Sequence, residues 1–227
     1  MTQRWRRWDR LTIQTEYLAL GRLTRIRRFT REDVDRWVDW PKHTDPLFES
    51  YDSPSMSPGM RNGWYDDLVH RQGQLPFAVD NLQGDLIGRI FLRHQHRPEG
   101  SATLGIDLAA AYLNRGMGTD ALQTFLSYFF GELGFDRMYL SVAAFNGRAR
   151  RVYVKLGFRD VNEYWDVIRT SAPVLRSPKY APIAHLFRRG DQGLEALHSV
   201  MVLNAAGFKH VQEQQRAALG QDSVFPT

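Results

Sequence analysis

The chain contains no cysteine, and that absence removes disulfides, thiolate metal sites and a cysteine nucleophile together. No apolar run is long enough to span a bilayer, and the basic opening lacks the apolar stretch of a secretory signal. A cytoplasmic protein without membrane contact is therefore expected. A Walker loop, a Gly-x-Ser-x-Gly elbow and a zinc-type motif are missing too. His94 and His96 stand two apart on one strand face without a third ligand at diagnostic spacing, so no metal is expected. No internal repeat is visible.

What is present suits a folded enzyme-sized domain. The 227 residues are 43% hydrophobic, enough for one sizeable core and an appended segment. The formal charge of +5 favours an anionic ligand, although part of the excess lies in an N-terminal arm of Arg4, Arg6, Arg7 and Arg10 interleaved with Trp5 and Trp8. Those arginines form no helical stripe and no nucleic-acid fold motif accompanies them, so nucleic acid is not an expected partner.

Leu18 to Arg28 reads as strand with a turn at Gly21, and Thr30 stands as N-cap to a short helix with Val34, Trp37 and Val38 on one face. Pro41 to Gly63 is too irregular for a core element and suits a substrate mouth; a second helix is expected around Trp64 to Arg71. Leu75 to Val79, Leu86 to Leu92 and Ala102 to Leu108 predict a strand meander. A helix over Gly116 to Leu133, a strand over Met138 to Ala144, a helix over Arg148 to Leu156 and a strand from Phe158 to Ile168 follow. A meander followed by alternating helices and strands predicts an α/β fold whose mixed, mainly antiparallel central sheet is flanked by helices. Pro173, Pro178 and Pro182 mark a linker, and Gly193 to Leu219 suggests one or two amphipathic helices. The expected organisation is an arm over 1–17, a catalytic domain over 18–170, and a linker with helical C-terminal extension over 171–227, the last a candidate homodimer surface.

The most informative stretch is GIDLAAAYLNRGMGT, Gly105 to Thr119. Gly116 and Gly118 open a helix, where glycines let successive backbone N–H groups face outward with the helix dipole behind them, as a phosphate requires. The next unit carries Asn146, Ala149, Tyr153, Gly157 and Phe158 in an NxxAxxxYxxxGF pattern. Together these motifs resemble the GNAT superfamily of acyl-coenzyme A N-acyltransferases, over about Leu18 to Arg169. TRIRRFTREDVDRWVDW (Thr24 to Trp40), followed by Asp45-Pro46, is similar to the opening of the branch that acetylates ribosomal-protein N-termini.

The resemblance implies acetyl-CoA as co-substrate, with the pyrophosphate on the backbone N–H groups of Arg115, Gly116, Met117, Gly118 and Thr119, charge from Arg115 and a hydroxyl from Thr119. It places the amide that meets the thioester carbonyl at about Asp107 or Leu108, the cofactor arm against Asn146, and the proton donor to the departing thiolate at Tyr153. Arg151 is a candidate for the coenzyme's 3′-phosphate. Leu113 stands where the family usually has Arg or Gln, which removes one side-chain contact but no backbone contact. Tyr153 also lies on an apolar stripe with Ala149, Val152 and Leu156, so a core role stands beside the catalytic one. Asn146 likewise suits an N-cap.

For the general base the strand offers Asp107, opposite the Leu104, Ile106 and Leu108 face. Ser141 is a candidate lining residue and His43 a further candidate base in the mouth segment. An α-amine with an ordinary pKa of about 7.7–8.0 needs little help, whereas a lysine side chain costs roughly 4.6 kcal/mol to deprotonate at pH 7. The expected acceptor is a primary amine, with an α-amine the more compatible. Two other readings compete: an acyl-CoA sensor without turnover, and a dinucleotide-binding oxidoreductase on the GxGxxA of Gly116 to Ala121. The second lacks both a strand running directly into its first glycine and an acid after the next strand.

Overall fold

A close approach that only glycine allows fixes the start of the fold. Strands β1 (Ala19–Leu20) and β2 (Thr24–Arg28) form a tight hairpin, and a Cβ on Gly21 would sit 2.2 Å from the Thr124 hydroxyl, so only glycine admits the close approach. The computed structural model describes residues 16–70, 73–170 and 172–221; the arm residues Arg4, Arg6, Arg7 and Arg10, and also Arg71, lie outside them.

Helix α1 (Arg31–Val38) follows from Thr30, whose backbone N–H donates to Asp33 at 2.8 Å. The same Asp33 carboxylate joins Asp80 in enclosing Arg27, at 2.5 Å and 2.7 Å, and all three side chains are buried. Burial alone would lower the Arg27 pKa; the hydrogen bonds to both carboxylates outweigh it and hold the guanidinium firmly charged. Helix α2 (Pro58–His70) starts earlier than the apolar pattern indicates. It lays Trp64 against Trp37, ring centres 4.8 Å apart.

The meander β3 (Leu75–Asn81), β4 (Leu86–His96) and β5 (Ser101–Leu108) is antiparallel throughout. Helix α3 (Met117–Gly131) covers one face of it with Ala121, Leu122, Phe125, Leu126 and Phe129, while α1 and α2 cover the other. Strand β6 (Arg137–Ala143), helix α4 (Gly147–Lys155) and strand β7 (Arg159–Val167) complete the expected alternation.

Beyond residue 170 the chain departs from the expected run of helices. Strand β8 (Phe187–Gly190) turns into strand β9 (Gly193–Asn204), and only Ala205–Gln221 is helical, as α5. The sheet order is β1-β2-β3-β4-β5-β6-β9-β7, so β9 lies between β6 and β7, antiparallel to both. The helical reading of Gly193 onward is thus corrected for its first half. Leu194, Leu197, Val200 and Met201 fit a helical period, but cross-strand pairing on both edges wins over that local preference.

The pair β5 and β6 is parallel, and its register covers only Ser101–Leu104 against Arg137–Leu140. Past that point β5 continues to Leu108 paired with β4, and β6 continues to Ala143 paired with β9. The sheet therefore splits between its two halves, and the candidate site residues gather around the split.

Candidate active site

At the end of β5 the backbone bends through a short 3-10 turn, Ala110–Tyr112, and then takes positive φ at Asn114 (60°) and Gly116 (77°). Such alternation directs neighbouring N–H groups to one side. Gly116 caps α3 without a side chain, leaving the first-turn donors facing outward. Gly118 packs back on β5: a Cβ there would lie 3.2 Å from Leu108, which places the helix start directly beside the split. Arg115 is exposed, with its guanidinium 5.9 Å from the Tyr112 ring centre. Met117 packs against the core and Thr119 belongs to the same first turn. Asp120 faces the other way and accepts from the Leu23 N–H at 2.9 Å and the Thr24 hydroxyl at 2.7 Å, which ties the cradle to the β1–β2 hairpin.

Across the split, Asn146 caps α4, its side-chain oxygen accepting from the Ala149 N–H at 3.2 Å. The same amide is hydrogen-bonded to Tyr51, whose phenol burial holds protonated. Tyr153 is buried, packed edge-on to Phe158 at 5.7 Å and part of the main core. Desolvation raises its pKa strongly, and Tyr51 and Asp107 add to the shift. The phenol thus keeps its proton at neutral pH, the condition for a donor. Arg151 folds back over the helix start, its Nη1 3.6 Å from where a Gly147 Cβ would stand.

Asp107 stands opposite Arg89 in the β4–β5 register and is ion-paired with it. Both Arg89 contacts, from Nε at 2.8 Å and Nη2 at 2.7 Å, go to Oδ2. Neither engages Oδ1. Burial lowers the Arg89 pKa, Asp107 opposes that, and the guanidinium stacks 3.6 Å from the Trp37 ring centre. Ser141 is engaged elsewhere, 2.8 Å from the Tyr164 hydroxyl on β7.

The mouth segment contributes residues whose importance is hard to read in the sequence. A 3-10 helix, Pro46–Tyr51, is capped by Asp45, whose carboxylate accepts from the Leu47 N–H at 3.0 Å. Its Phe48 packs on Phe145 at 5.8 Å, immediately before Asn146, and Arg148 lies 5.3 Å from the Phe48 ring centre. His43 Nδ1 is 2.7 Å from Asp52 Oδ1, and its ring packs beside Phe48 and Tyr51. The C-terminal segment holds this mouth in place, because Asp45 also receives Lys179 at 2.7 Å and the Tyr180 hydroxyl at 2.5 Å. The recoverable signal for these residues was aromatic: Phe48 and Tyr51 at helical spacing inside an otherwise polar stretch.

Among the described residues no group of three or more metal-ligating side chains is found, and no helix is long and apolar enough to cross a membrane.

Residues 23–159 match the family model of the acetyltransferase (GNAT) domain. Spermidine N(1)-acetyltransferase of Escherichia coli K12 is 31% identical over 96 residues, 41% of this chain and 50% of that protein. The L-amino acid N-acetyltransferase AaaT of the same strain is 32% identical over 99 residues, 42% of this chain and 59% of that protein. The matched region thus spans about half the length of these curated relatives. The crystal structure of spermidine N-acetyltransferase from Vibrio cholerae in complex with CoA and spermine superposes with a TM-score of 0.63 at 18% identity, over 82% of this chain and 98% of that one.

Proposed function

Because the chain belongs to the GNAT acetyltransferase family, we propose that it is a cytoplasmic enzyme that transfers an acetyl group from acetyl-CoA to a primary amine by direct attack on the thioester. The observation that carries the reading is the uncapped, glycine-built start of α3 packed on Leu108 at the mouth of the β5–β6 split, with a buried tyrosine across it. In this proposal Arg115, Gly116, Met117, Gly118 and Thr119 hold the pyrophosphate, Asn146 and Arg151 the remainder of the coenzyme, and the backbone at Asp107 and Leu108 the thioester carbonyl. Asp107 acts on the amine through Oδ1, directly or through a water, while Arg89 keeps Oδ2 occupied. Tyr153 protonates the thiolate.

Charge pairing favours an α-amine acceptor. Asp107 and Asp45 are ion-paired with Arg89 and Lys179, and Asp52 is engaged by the His43 ring and backbone, which leaves these mouth carboxylates poorly suited to a polycation. The likeness of Thr24 to Trp40 to the branch acting on ribosomal-protein N-termini points the same way. Polyamines are the alternative, since relatives carry that specificity in their names. Thiol release measured from pH 6 to 9 with an alanine-initiated peptide, an N-terminally blocked lysine peptide and spermidine decides between them. The peptide α-amine is expected to be fastest near neutrality, and a clear preference for spermidine overturns the assignment. Isothermal titration should show acetyl-CoA binding weakened roughly 10- to 100-fold in Gly118→Asp, where a carboxylate enters the cradle. A folded variant with unchanged affinity would remove this loop from the site. We further propose that residues 171–227 mediate a homodimer, next to the outer strand β7 with its exposed Val161, Tyr164 and Val167; light scattering after size exclusion tests it, a monomer overturning it.

A further inference from the structure

We propose that His43, oriented by Asp52, is the group that takes the acceptor's proton, an inference that rests on the acetyl-transfer reading above. The segment from Lys42 to Ser53 is closed at its base by bonds from the Lys42 ammonium to the Ser53 carbonyl and to the Ser53 hydroxyl, the latter 2.7 Å. Inside it, Asp52 Oδ1 accepts both from the His43 backbone N–H at 2.8 Å and from the ring at 2.7 Å. A carboxylate oxygen accepts, so the ring hydrogen lies on Nδ1, and in the neutral imidazole the lone pair is left on Nε2. A histidine fixed by a carboxylate through one nitrogen, with the other left as acceptor, is the arrangement general bases share across unrelated folds.

Position supports the role. The ring lies 6.0 Å from Phe48 and 6.4 Å from Tyr51, centre to centre, and Tyr51 is in turn bonded to Asn146 and electrostatically coupled to Tyr153 and Asp107. Only 12% of the His43 side chain and 14% of the Asp52 side chain are exposed, so the pair is sheltered but not sealed. The titratable groups around the imidazole are Asp52 and Tyr51 from its own segment and Arg148 from α4 across Phe48; beyond them lie Asp45 with Lys179 and Tyr180 from the C-terminal segment. Asp107 and His43 then have separate tasks. Clamped by Arg89 through Oδ2, Asp107 orients the ammonium, whereas His43 accepts a proton and releases it to solvent.

The step balances. The acceptor ammonium loses one proton through His43 to water, and the neutral amine forms the C–N bond to the acetyl carbon. Collapse of the tetrahedral intermediate breaks the C–S bond, and the CoA thiolate takes the phenolic proton of Tyr153. The proton shed by the new amide nitrogen restores the phenol.

The test is kcat/KM against pH for thiol release from acetyl-CoA with the alanine-initiated peptide and with spermidine, comparing the unaltered chain with His43→Gln and Asp52→Asn. For the better acceptor, His43→Gln is expected to lower kcat/KM by about 10²- to 10³-fold near pH 6.5, with the loss shrinking as pH rises towards the amine's own pKa, so that by about pH 9.5 it is nearly gone for the α-amine and reduced for spermidine. Asp52→Asn should fall in between, and imidazole added to His43→Ala should restore part of the rate. Acetyl-CoA affinity by titration should stay within a few fold in all three variants. A folded His43→Gln or Asp52→Asn with a pH profile parallel to the unaltered chain overturns the dyad and leaves acetyl transfer standing. Absence of transfer by the unaltered chain to either amine overturns the proposed function, and the dyad with it.

Discussion

Tyr153 shows how one side chain satisfies two demands. Its ring fills the main core beside Phe158, and the burial that packing requires is also what holds the phenolic proton in place. The alternatives open in the sequence, core member or proton donor, are therefore compatible. Tyr153→Phe keeps the packing and removes the proton, so turnover should fall by about 10²- to 10⁴-fold while acetyl-CoA affinity stays within a few fold. Single-turnover thiol release checks this, and a near-normal rate would leave only the packing role. Asn146 behaves the same way, capping α4 through its oxygen and meeting Tyr51 with the same amide. Residues of this kind were legible because local spacing marks them. Asp52 and Tyr180 were not: Asp45, the partner of Tyr180, lies 135 residues away, and nothing beside Asp52 in the sequence marks its contact with His43, while Tyr51 shows only its spacing from Phe48 and not its bond to the distant Asn146.

At the scale of elements, the most demanding interaction is the enclosure of Arg27 by Asp33 and Asp80, which joins β2, α1 and β3. Removing the cation would leave two carboxylates buried against each other, and breaking a buried pair typically costs about 3–5 kcal/mol. Arg27→Met should therefore lower Tm by roughly 10 °C in a calorimetric scan. A shift of only a degree or two would mean that water reaches the carboxylates and replaces the guanidinium. The same elements explain which parts of the fold a sequence reading recovers. Helix α3 and the meander announce themselves, because each buries one face and so carries a clean period. Strand β9 does not. It is hydrogen-bonded on both edges, and Ser199 and His198 occupy positions where a strand pattern would favour β-branched residues. The legible clue lies just before it, where Gly190 and Gly193 flank a two-residue turn joining β8 to β9.

For the whole molecule, the late strand means that residues beyond 170 belong to the sheet that carries the candidate site. A chain ending at residue 170 would lose the partner of both β6 and β7, together with the Lys179 and Tyr180 contacts that hold Asp45 and the mouth. Such a truncation is expected to be insoluble or unfolded by circular dichroism, although the matched family region ends at residue 159. A soluble, cooperatively melting product would show that β9 is dispensable. The insertion of β9 also sets an order of events during synthesis. Strands β1 to β5 and helix α3 pair in sequence as they leave the ribosome, each finding its neighbour nearby. The second half cannot close in this way. Strand β6 emerges paired only with β5, and β7 emerges with no partner at all; both wait for β9, which is complete about sixty residues after β6 and about forty after β7, several seconds at about 5–20 residues per second. During that interval two open edges invite pairing with other chains, so the yield of native protein should depend on elongation speed and on chaperone cover in a way that the stability of the finished fold does not reveal.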